Sequence, residues 1–591
     1  MGQHARDRTP IRRHEHLDVD FPGCRDHDHR PRLQLPWRRS ARHPRSARRR
    51  RHRRGHEEVT DVLIKNGTIV DGTGAAAFVG DVAIENGRIV DVGTLDGSDA
   101  ELVIDATGRY ISPGFVDPHS HSDFTLLTNP NCESTIRQGV TTEVVGNCGW
   151  TYAPVSVHSK AAIEGRLRTF AYPGPVEWES FADHLDFIRN VGHSVNLAWF
   201  VGHNTVRFAA GVRERIATEE QMRAMENYVA EAMDAGALGL STGLEFAPGR
   251  ESPTDEVVRL NKVVGRYKGH YTSHIRNRDQ FLQESIEEFL TIIRDGGTSG
   301  EISHLNVRNR TGAAPGAWQR AVDTMQHARE VEGLDVLADT TPFNDGLGAM
   351  VGILPPWVGA DGWQEAQKRL RDPSLREKLK HECDRYWRFI HAGEWHRVRL
   401  QASPQYPGLD GKSFPEIAEL MGKSEWDAFF DIIADAGAGM DALLMIGELF
   451  TDDHLKEMIS HPMLSLGVDG FTAALDVGLD NVAAHPVCYA GHVHYLTHHV
   501  RELGTLPLEE AIYKMTLMPA RHFRLNDRGA LAKGYAADLL IFDYERLADG
   551  STLLDPLHYV QGVDDVFVNG THVVANGEHT GARPGVHLAR T

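Results

Sequence analysis

Long apolar runs are missing from this 591-residue sequence. No window comes near 18 uninterrupted apolar residues, which excludes a membrane-spanning helix. Cysteine is scarce: Cys24, Cys132, Cys148, Cys383 and Cys488 are scattered and odd in number. That pattern argues against a disulfide framework and for a reducing, cytoplasmic setting. No glycine-rich phosphate turn follows any strand-like run, and no internal repeat is evident. Lysine is absent from residues 1–55, although they hold 17 arginines and 6 acids.

That first stretch is formally +11, which leaves −30 on the remainder of a chain whose total is −19. "RSARRRRHRRG" could be a nucleic-acid arm, but so acidic a body holds a phosphate backbone poorly. No apolar segment follows it, so it is not a twin-arginine signal. Arg and His without Lys, and an abrupt change of character at Val59, lead us to expect that residues 1–58 are a disordered tail or upstream sequence of a GC-rich genome.

From Val59 onward the pattern is globular. "DVLIKNGTIVDGTG" and "DVAIENGRIVDVG" read as two strand pairs turned by Asn-Gly, and the same grammar returns in "VDDVFVNGTHVVANGEHTG". Two β-rich ends, residues 59–112 and 518–591, predict one small β-sandwich domain built from both ends of the chain. Between them, over 113–517, strand-like runs alternate with helical stretches. Eight such runs ("GFVDPHSH", "TTEVVGNCG", "NLAWFVGHN", "ALGLSTGLEF", "GHYTSHIRN", "GEISHLNV", "DVLADTTPF" and "LSLGVDGF") predict an α/β fold with a (β/α)8 TIM-like barrel. A Trp- and charge-rich stretch near 345–435 breaks the rhythm and reads as a helical, lid-like insertion between the seventh and eighth units.

In such a barrel the reaction site lies at the C-terminal ends of the strands. Those ends here carry His119 and His121, Cys148, His274, His304 and Asp469. Side chains two apart on a strand share a face, so His119 and His121 can converge on one ion. Imidazole and thiolate together suit a borderline-soft ion such as Zn²⁺. Each residue alone has a bland explanation: a structural histidine, a buried apolar thiol, a turn aspartate. The conjunction of six such residues at five predicted strand ends points to a metal site.

Three other His-x-His triplets compete. His14/His16 and His27/His29 lie in the tail. "HVHYLTHH", residues 492–499, looks helical with His494 and His498 on one face, but it lacks the glutamate of an H-E-x-x-H metalloprotease helix.

With these residues in view, the chain resembles the amidohydrolase superfamily, specifically its D-aminoacylase (N-acyl-D-amino-acid deacylase) branch. The resemblance runs from Val59 to the C-terminus and rests on "PGFVDPHSHSD", "QGVTTEVVGNCG", "LGLSTGLEFAPG", "YTSHIRNR", "ISHL", "GVDG", "KMTLMPARHFRL" and "GARPG", in that order. The NCG cysteine separates this branch from relatives that bridge metals with a carboxylated lysine. Deaminase relatives place a glutamate three residues after the fifth-strand histidine, where this chain has Asn277. The resemblance implies that Cys148, His274 and His304 hold a tighter zinc, that His119 and His121 serve a second, weaker position, and that Asp469 is the general base and acid.

It also implies a substrate class, and here the chain departs from the pattern. Branch members that cleave N-acyl-D-amino acids anchor the α-carboxylate with a lysine two residues after the sixth-strand histidine, a tyrosine on the seventh strand and an arginine after an "HP" pair. This chain has Asn306, no tyrosine in "LADTTPF", and Val487. A buried carboxylate needs charged partners, so the expected substrate is a small amide without that carboxylate. Arg276, Arg308 or Arg310 could supply the charge instead. The alternatives are a hydrolase of a cyclic amide, carbamate or lactone on the same scaffold, and an inactive amidohydrolase-like scaffold. A scaffold should have lost ligands, whereas all six positions are filled.

Overall fold

The computed structural model describes residues 60–590, apart from 96–99, 360, 384–386 and 481. The expectation for residues 1–58, with Cys24, His14/His16 and His27/His29, falls outside the described residues.

Eight parallel strands form the central sheet: Phe115–Asp117, Val140–Val145, Asn196–Gly202, Gly239–Gly243, His270–His274, Ser299–Ile302, Val336–Thr340 and Leu464–Leu466. They are hydrogen-bonded in sequence order, the first beside the second and so on to the eighth. The eighth returns to the first through a bridge between Ser120 and Gly470, so the barrel nearly closes. Every residue of the second, third, fourth and fifth strands is buried. Burial on both faces is why none of these four runs alternates cleanly between apolar and polar residues.

Helices cover the barrel by presenting apolar stripes to it. In Leu282–Gly296 the buried face includes Leu282, Ile286, Phe289, Leu290 and Ile293, at offsets of 0, 4, 7, 8 and 11 that form one helical stripe. Burying each of these side chains is worth about 1.5–3 kcal/mol. Helix Glu219–Asp234 starts at a capping box, with Thr218 accepting from the Gln221 amide and Gln221 accepting from the Thr218 amide.

The β-rich ends do combine. Strand Tyr110–Pro113 pairs antiparallel with Leu539–Phe542, and nine strands from both ends form one sheet with its own apolar cluster, including Ile64, Ile84, Ile111, Leu539 and Phe567. Three of the four Asn-Gly pairs sit in turns: Asn86-Gly87, Asn569-Gly570 and Asn576-Gly577 all have positive φ between flanking strands. The fourth corrects the sequence reading. Thr60–Ile69 is one continuous strand, and Asn66-Gly67 is an irregularity within it. A bulge and a type I′ turn both favour Asn with positive φ, so local sequence does not separate them. Packing decides it: a Cβ on Gly67 would lie 2.4 Å from Ile111.

The segment between the seventh and eighth barrel strands has its own apolar cluster, centred on Trp387, Trp395, Phe414, Phe429 and Phe430. Besides helices such as Trp363–Arg371 and Glu425–Ala436 it contains a three-stranded antiparallel sheet, Asp345–Ala349, Leu444–Glu448 and Val398–Leu400. The sequence reading expected only helices here, because glycine-rich "DGLGA" carries little strand propensity. The glycines are needed for close packing: a Cβ on Gly447 would come within 2.6 Å of the Trp387 ring.

Among the described residues no helix is long and apolar enough to cross a membrane. Cys132, Cys148, Cys383 and Cys488 are all buried.

Candidate metal centre

Closure of the barrel assembles the centre. The Asp469 amide donates to the His119 carbonyl at 2.9 Å, and the His121 amide donates to the Gly470 carbonyl at 2.7 Å. These bonds draw the end of the eighth strand against the end of the first. Asp469 Oδ1 consequently lies 3.3 Å from His119 Nε2 and 3.2 Å from His121 Nε2, and Oδ2 lies 3.8 Å from His304 Nε2.

Cys148 is the hub. Its Sγ is 3.4 Å from His119 Nε2, 3.9 Å from His274 Nδ1 and 3.7 Å from His304 Nε2. The structure therefore brings together all six residues singled out in the sequence, in two overlapping groups: His119, His121, Cys148 and Asp469, and Cys148, His274 and His304. A tetrahedral zinc with bonds of about 2.3 Å to sulfur and 2.0–2.1 Å to nitrogen sets S···N separations near 3.5 Å. The donor set fits that ion.

Three of the six residues have left-handed backbone: Cys148 at φ 52°, His304 at 37° and Asp469 at 55°. Non-glycine residues pay for this conformation, and such strain concentrates at functional sites. Here it follows from abrupt reversals at strand ends, which turn the side chains back over the barrel mouth. Gly149 permits one of these reversals: at φ 78° a Cβ would lie 2.8 Å from the Gly243 nitrogen.

Buried carboxylates orient the rings from behind. Asp339, on the seventh strand, accepts from the His304 amide at 2.8 Å through Oδ1 and faces His119 Nδ1 at 3.2 Å through Oδ2. Glu245, two residues past the fourth strand, faces His274 Nε2 at 2.7 Å and so leaves Nδ1 toward Cys148. A carboxylate behind a ligating imidazole fixes its tautomer and raises its basicity. Glu245 also accepts from Arg308, at 2.5 and 2.8 Å, and from Arg278 at 3.0 Å. Arg278 in turn approaches His304 Nδ1 at 2.7 Å. Ser120 and Ser122 both donate to Glu143, at 2.6 and 2.5 Å, which holds the His119–His121 turn.

Sequence reasoning did not single out Glu245, Arg278 or Asp339. The available signal was a charged residue within or just past a buried strand, in "LEFAPG" and "LADTT".

The electrostatics are those of a cation site. Burial works against a Cys148 thiolate, yet the His119 charge and hydrogen bonds from His119, His121 and His274 outweigh it and hold the thiol well below its ordinary value. Burial likewise opposes the Asp469 carboxylate, and His119 and His304 hold it well below the usual range. Burial lowers His121, but Asp469 and Cys148 prevail and raise it to about 9. The field that favours imidazolium here equally favours a dication. Burial, with Arg278 and His274 beside it, drops His304 to about 4. Cys488 is different: burial pushes its thiol up to about 12, so it stays protonated.

A cavity of about 290 Å³ opens onto Asp469, His274 and His304. Its walls include Asn306, Thr341, Phe343, Leu347, Trp387, Phe450, Val468, Phe471 and Val487. Arg276 is tied to Glu288, at 2.8 and 2.9 Å, Arg308 to Glu245, and Arg310 to Glu394 at 2.9 Å. Each of the three arginines weighed above is thus already paired with a carboxylate, and none of them lines the cavity. Arg278 does, paired with Glu245.

Comparison with known proteins agrees with this architecture. D-aminoacylase of Alcaligenes xylosoxydans xylosoxydans is 30% identical over 532 residues, 90% of this chain and 98% of that protein. A crystal structure of D-aminoacylase superposes with a TM-score of 0.73 at 29% identity, over 90% of this chain and all of that one. N-acyl-D-glutamate deacylase of Bordetella bronchiseptica, solved with zinc and a phosphonate mimic of the tetrahedral intermediate, superposes with a TM-score of 0.71 at 28% identity, again over 90% and 100% of the two chains. The amidohydrolase family model matches residues 102–574. The chain belongs to the amidohydrolase family.

Proposed function

We propose that this protein is a zinc-dependent hydrolase of a non-peptide amide C–N bond, acting on substrates without the α-carboxylate of an N-acyl-D-amino acid. The observation that carries the reading is the approach of Cys148, His274 and His304 to one another beside Asp469, at the floor of a cavity walled mainly by uncharged groups. Cys148, His274 and His304 would hold the tighter ion, and His119 and His121 a second, weaker position.

When bound, zinc would supply Lewis acidity, polarising the scissile carbonyl and lowering the pKa of water. The remaining work falls to the chain. Asp469 is held as a carboxylate and is about a third exposed toward the cavity, so it can accept a proton from attacking water. Passing that proton to the departing nitrogen converts a very poor leaving group into a neutral amine. Glu245 and Asp339 keep the imidazoles oriented. Asn306 and Val487 leave the place of the branch's lysine and arginine without charge, and the apolar wall selects an uncharged portion of the substrate.

Steady-state kinetics test this reading. N-acetylated amines lacking a carboxylate should be turned over with higher kcat/KM than N-acetyl-D-methionine or N-acetyl-D-glutamate, in protein whose zinc content is measured by elemental analysis. High kcat/KM on either acid would overturn the substrate assignment. Full activity of metal-stripped protein would overturn the chemistry.

A further inference from the structure

The histidine-rich segment "HVHYLTHH" takes no part in the barrel-mouth centre. Its first residues end the helix Val487–His494, and the rest continues as a π-helical stretch, Tyr495–Glu502. There the His494 and His498 rings stack, with centroids 5.0 Å apart and planes 21° from parallel. A carboxylate faces the same nitrogen of each ring: His494 Nδ1 is 2.7 Å from Asp549 Oδ2, and His498 Nδ1 is 3.0 Å from Glu502 Oε2.

A neutral imidazole has one N–H and one lone pair. A carboxylate beside Nδ1 places the proton there and leaves the lone pair on Nε2, which is how metal-ligating histidines are prepared. Neither Nε2 has a hydrogen-bond partner among the described residues. Residues four apart on a helix are neighbours, and the near-parallel rings put the two nitrogens side by side, so a small rotation about each side chain would let both reach one ion. The side chains are 19% and 41% exposed, which leaves them open to an ion. Both border a cavity of about 320 Å³ that Asp452 and Asp453 also line, with Lys456 the one lysine on its wall. With Asp549 and Glu502 behind the rings, the local charge favours a cation.

We propose that His494 and His498 chelate a borderline transition-metal dication, such as Zn²⁺, Ni²⁺ or Cu²⁺, at a site separate from the barrel-mouth centre. Two imidazoles select such ions over Mg²⁺ or Ca²⁺, which take oxygen ligands. Water would complete the coordination, and the carboxylates of Asp452 and Asp453 on the wall of the same cavity would add negative charge nearby. Phe343 lies against His494 with ring centroids 4.2 Å apart and planes 13° from parallel, and it lines both this cavity and the catalytic one. Fixing His494 with an ion therefore stiffens one wall of the substrate cavity and alters KM more than kcat.

Equilibrium dialysis of the full, zinc-loaded chain against micromolar Zn²⁺, read by elemental analysis, tests the site without needing a substrate. The variant His494→Gln/His498→Gln should bind one equivalent less than wild type. His498→Gln, at the more exposed ring, serves alone if circular dichroism shows the double variant misfolded. Cu²⁺ should give a two-nitrogen EPR signal that these variants lack. The added Zn²⁺ should shift wild-type KM at least twofold and leave that of His498→Gln unchanged. Equal stoichiometry in wild type and variants overturns the site, whatever the substrate proves to be. A lost equivalent with no KM shift overturns the link through Phe343.

Discussion

Asp469 is joined to His119 by backbone and side chain at once. Its amide donates to the His119 carbonyl at 2.9 Å, while its Oδ1 lies 3.3 Å from the His119 Nε2. The seam that closes the barrel is thus also the contact that sets the Asp469 carboxylate among the candidate ligands.

Asp469→Asn keeps the size of the side chain and the backbone bond but cannot accept a proton. We expect kcat to fall by about 10²–10⁴. Zinc content should be retained through Cys148, His274 and His304. A kcat within threefold of wild type, measured at full metal occupancy, would remove Asp469 from its role.

Glu245→Gln should destabilise the fold and loosen the metal together. Glu245 is a buried carboxylate that burial opposes and that Arg308 and Arg278 hold well below its usual range. Removing its charge takes the carboxylate from two buried guanidinium groups, at a cost of about 3–5 kcal/mol. Loss of the carboxylate behind His274 should weaken metal affinity about 10–100-fold. Urea denaturation of zinc-loaded protein and competition with a chelator measure the two effects. Wild-type values in both would show that Glu245 is a bystander.

Val487→Arg combined with Asn306→Lys should place two cations on the wall of the barrel-mouth cavity. We expect kcat/KM for N-acetyl-D-methionine to rise at least about tenfold, equivalent to about 1.4 kcal/mol. The same variant should lose activity on uncharged amides. A folded double variant with no gain on the acid would show that these two positions do not choose between the substrates.

Lys514→Met should flatten part of the pH dependence of stability. Lys514 lies in the helix Leu508–Met515, is 2% exposed, and donates to the carbonyls of His461 and Leu464 at the start of the eighth barrel strand. Burial pulls its pKa down to about 8, against a smaller opposing pull from Glu510. The unfolded chain holds this proton up to about pH 10.4. Between about pH 8 and 10.4 the unfolded state therefore binds the extra proton, and stability from this group rises with pH. Below pH 8 both states are protonated and the cost of the buried charge is constant. Urea midpoints of wild type and variant, compared across pH 7.5–10.5, should converge or separate by the amount of that rise. Parallel curves would contradict the assignment.

The sequence was most legible where one residue type at one place has few alternatives. His119, His121, Cys148, His274, His304 and Asp469 stand at the ends of apolar runs, and those runs are strands of one sheet. It was least legible where long-range partners define the role. Glu245 reads like any acid beyond a strand until Arg278, Arg308 and His274 are found around it. Asn66-Gly67 reads as a turn until Ile111 is seen packed over Gly67.

By itself, then, the sequence determined the eight buried strands, the β-rich ends that pair with each other, and the chemical types gathered at the barrel mouth, because apolar periodicity and turn preference are local properties of a chain. Tertiary structure decided which atoms meet. The closing bonds between Asp469 and His119, the carboxylates behind His274 and His119, and the stacked pair His494 and His498 all depend on elements far apart in sequence being held at fixed distances, and only the packed fold supplies those distances.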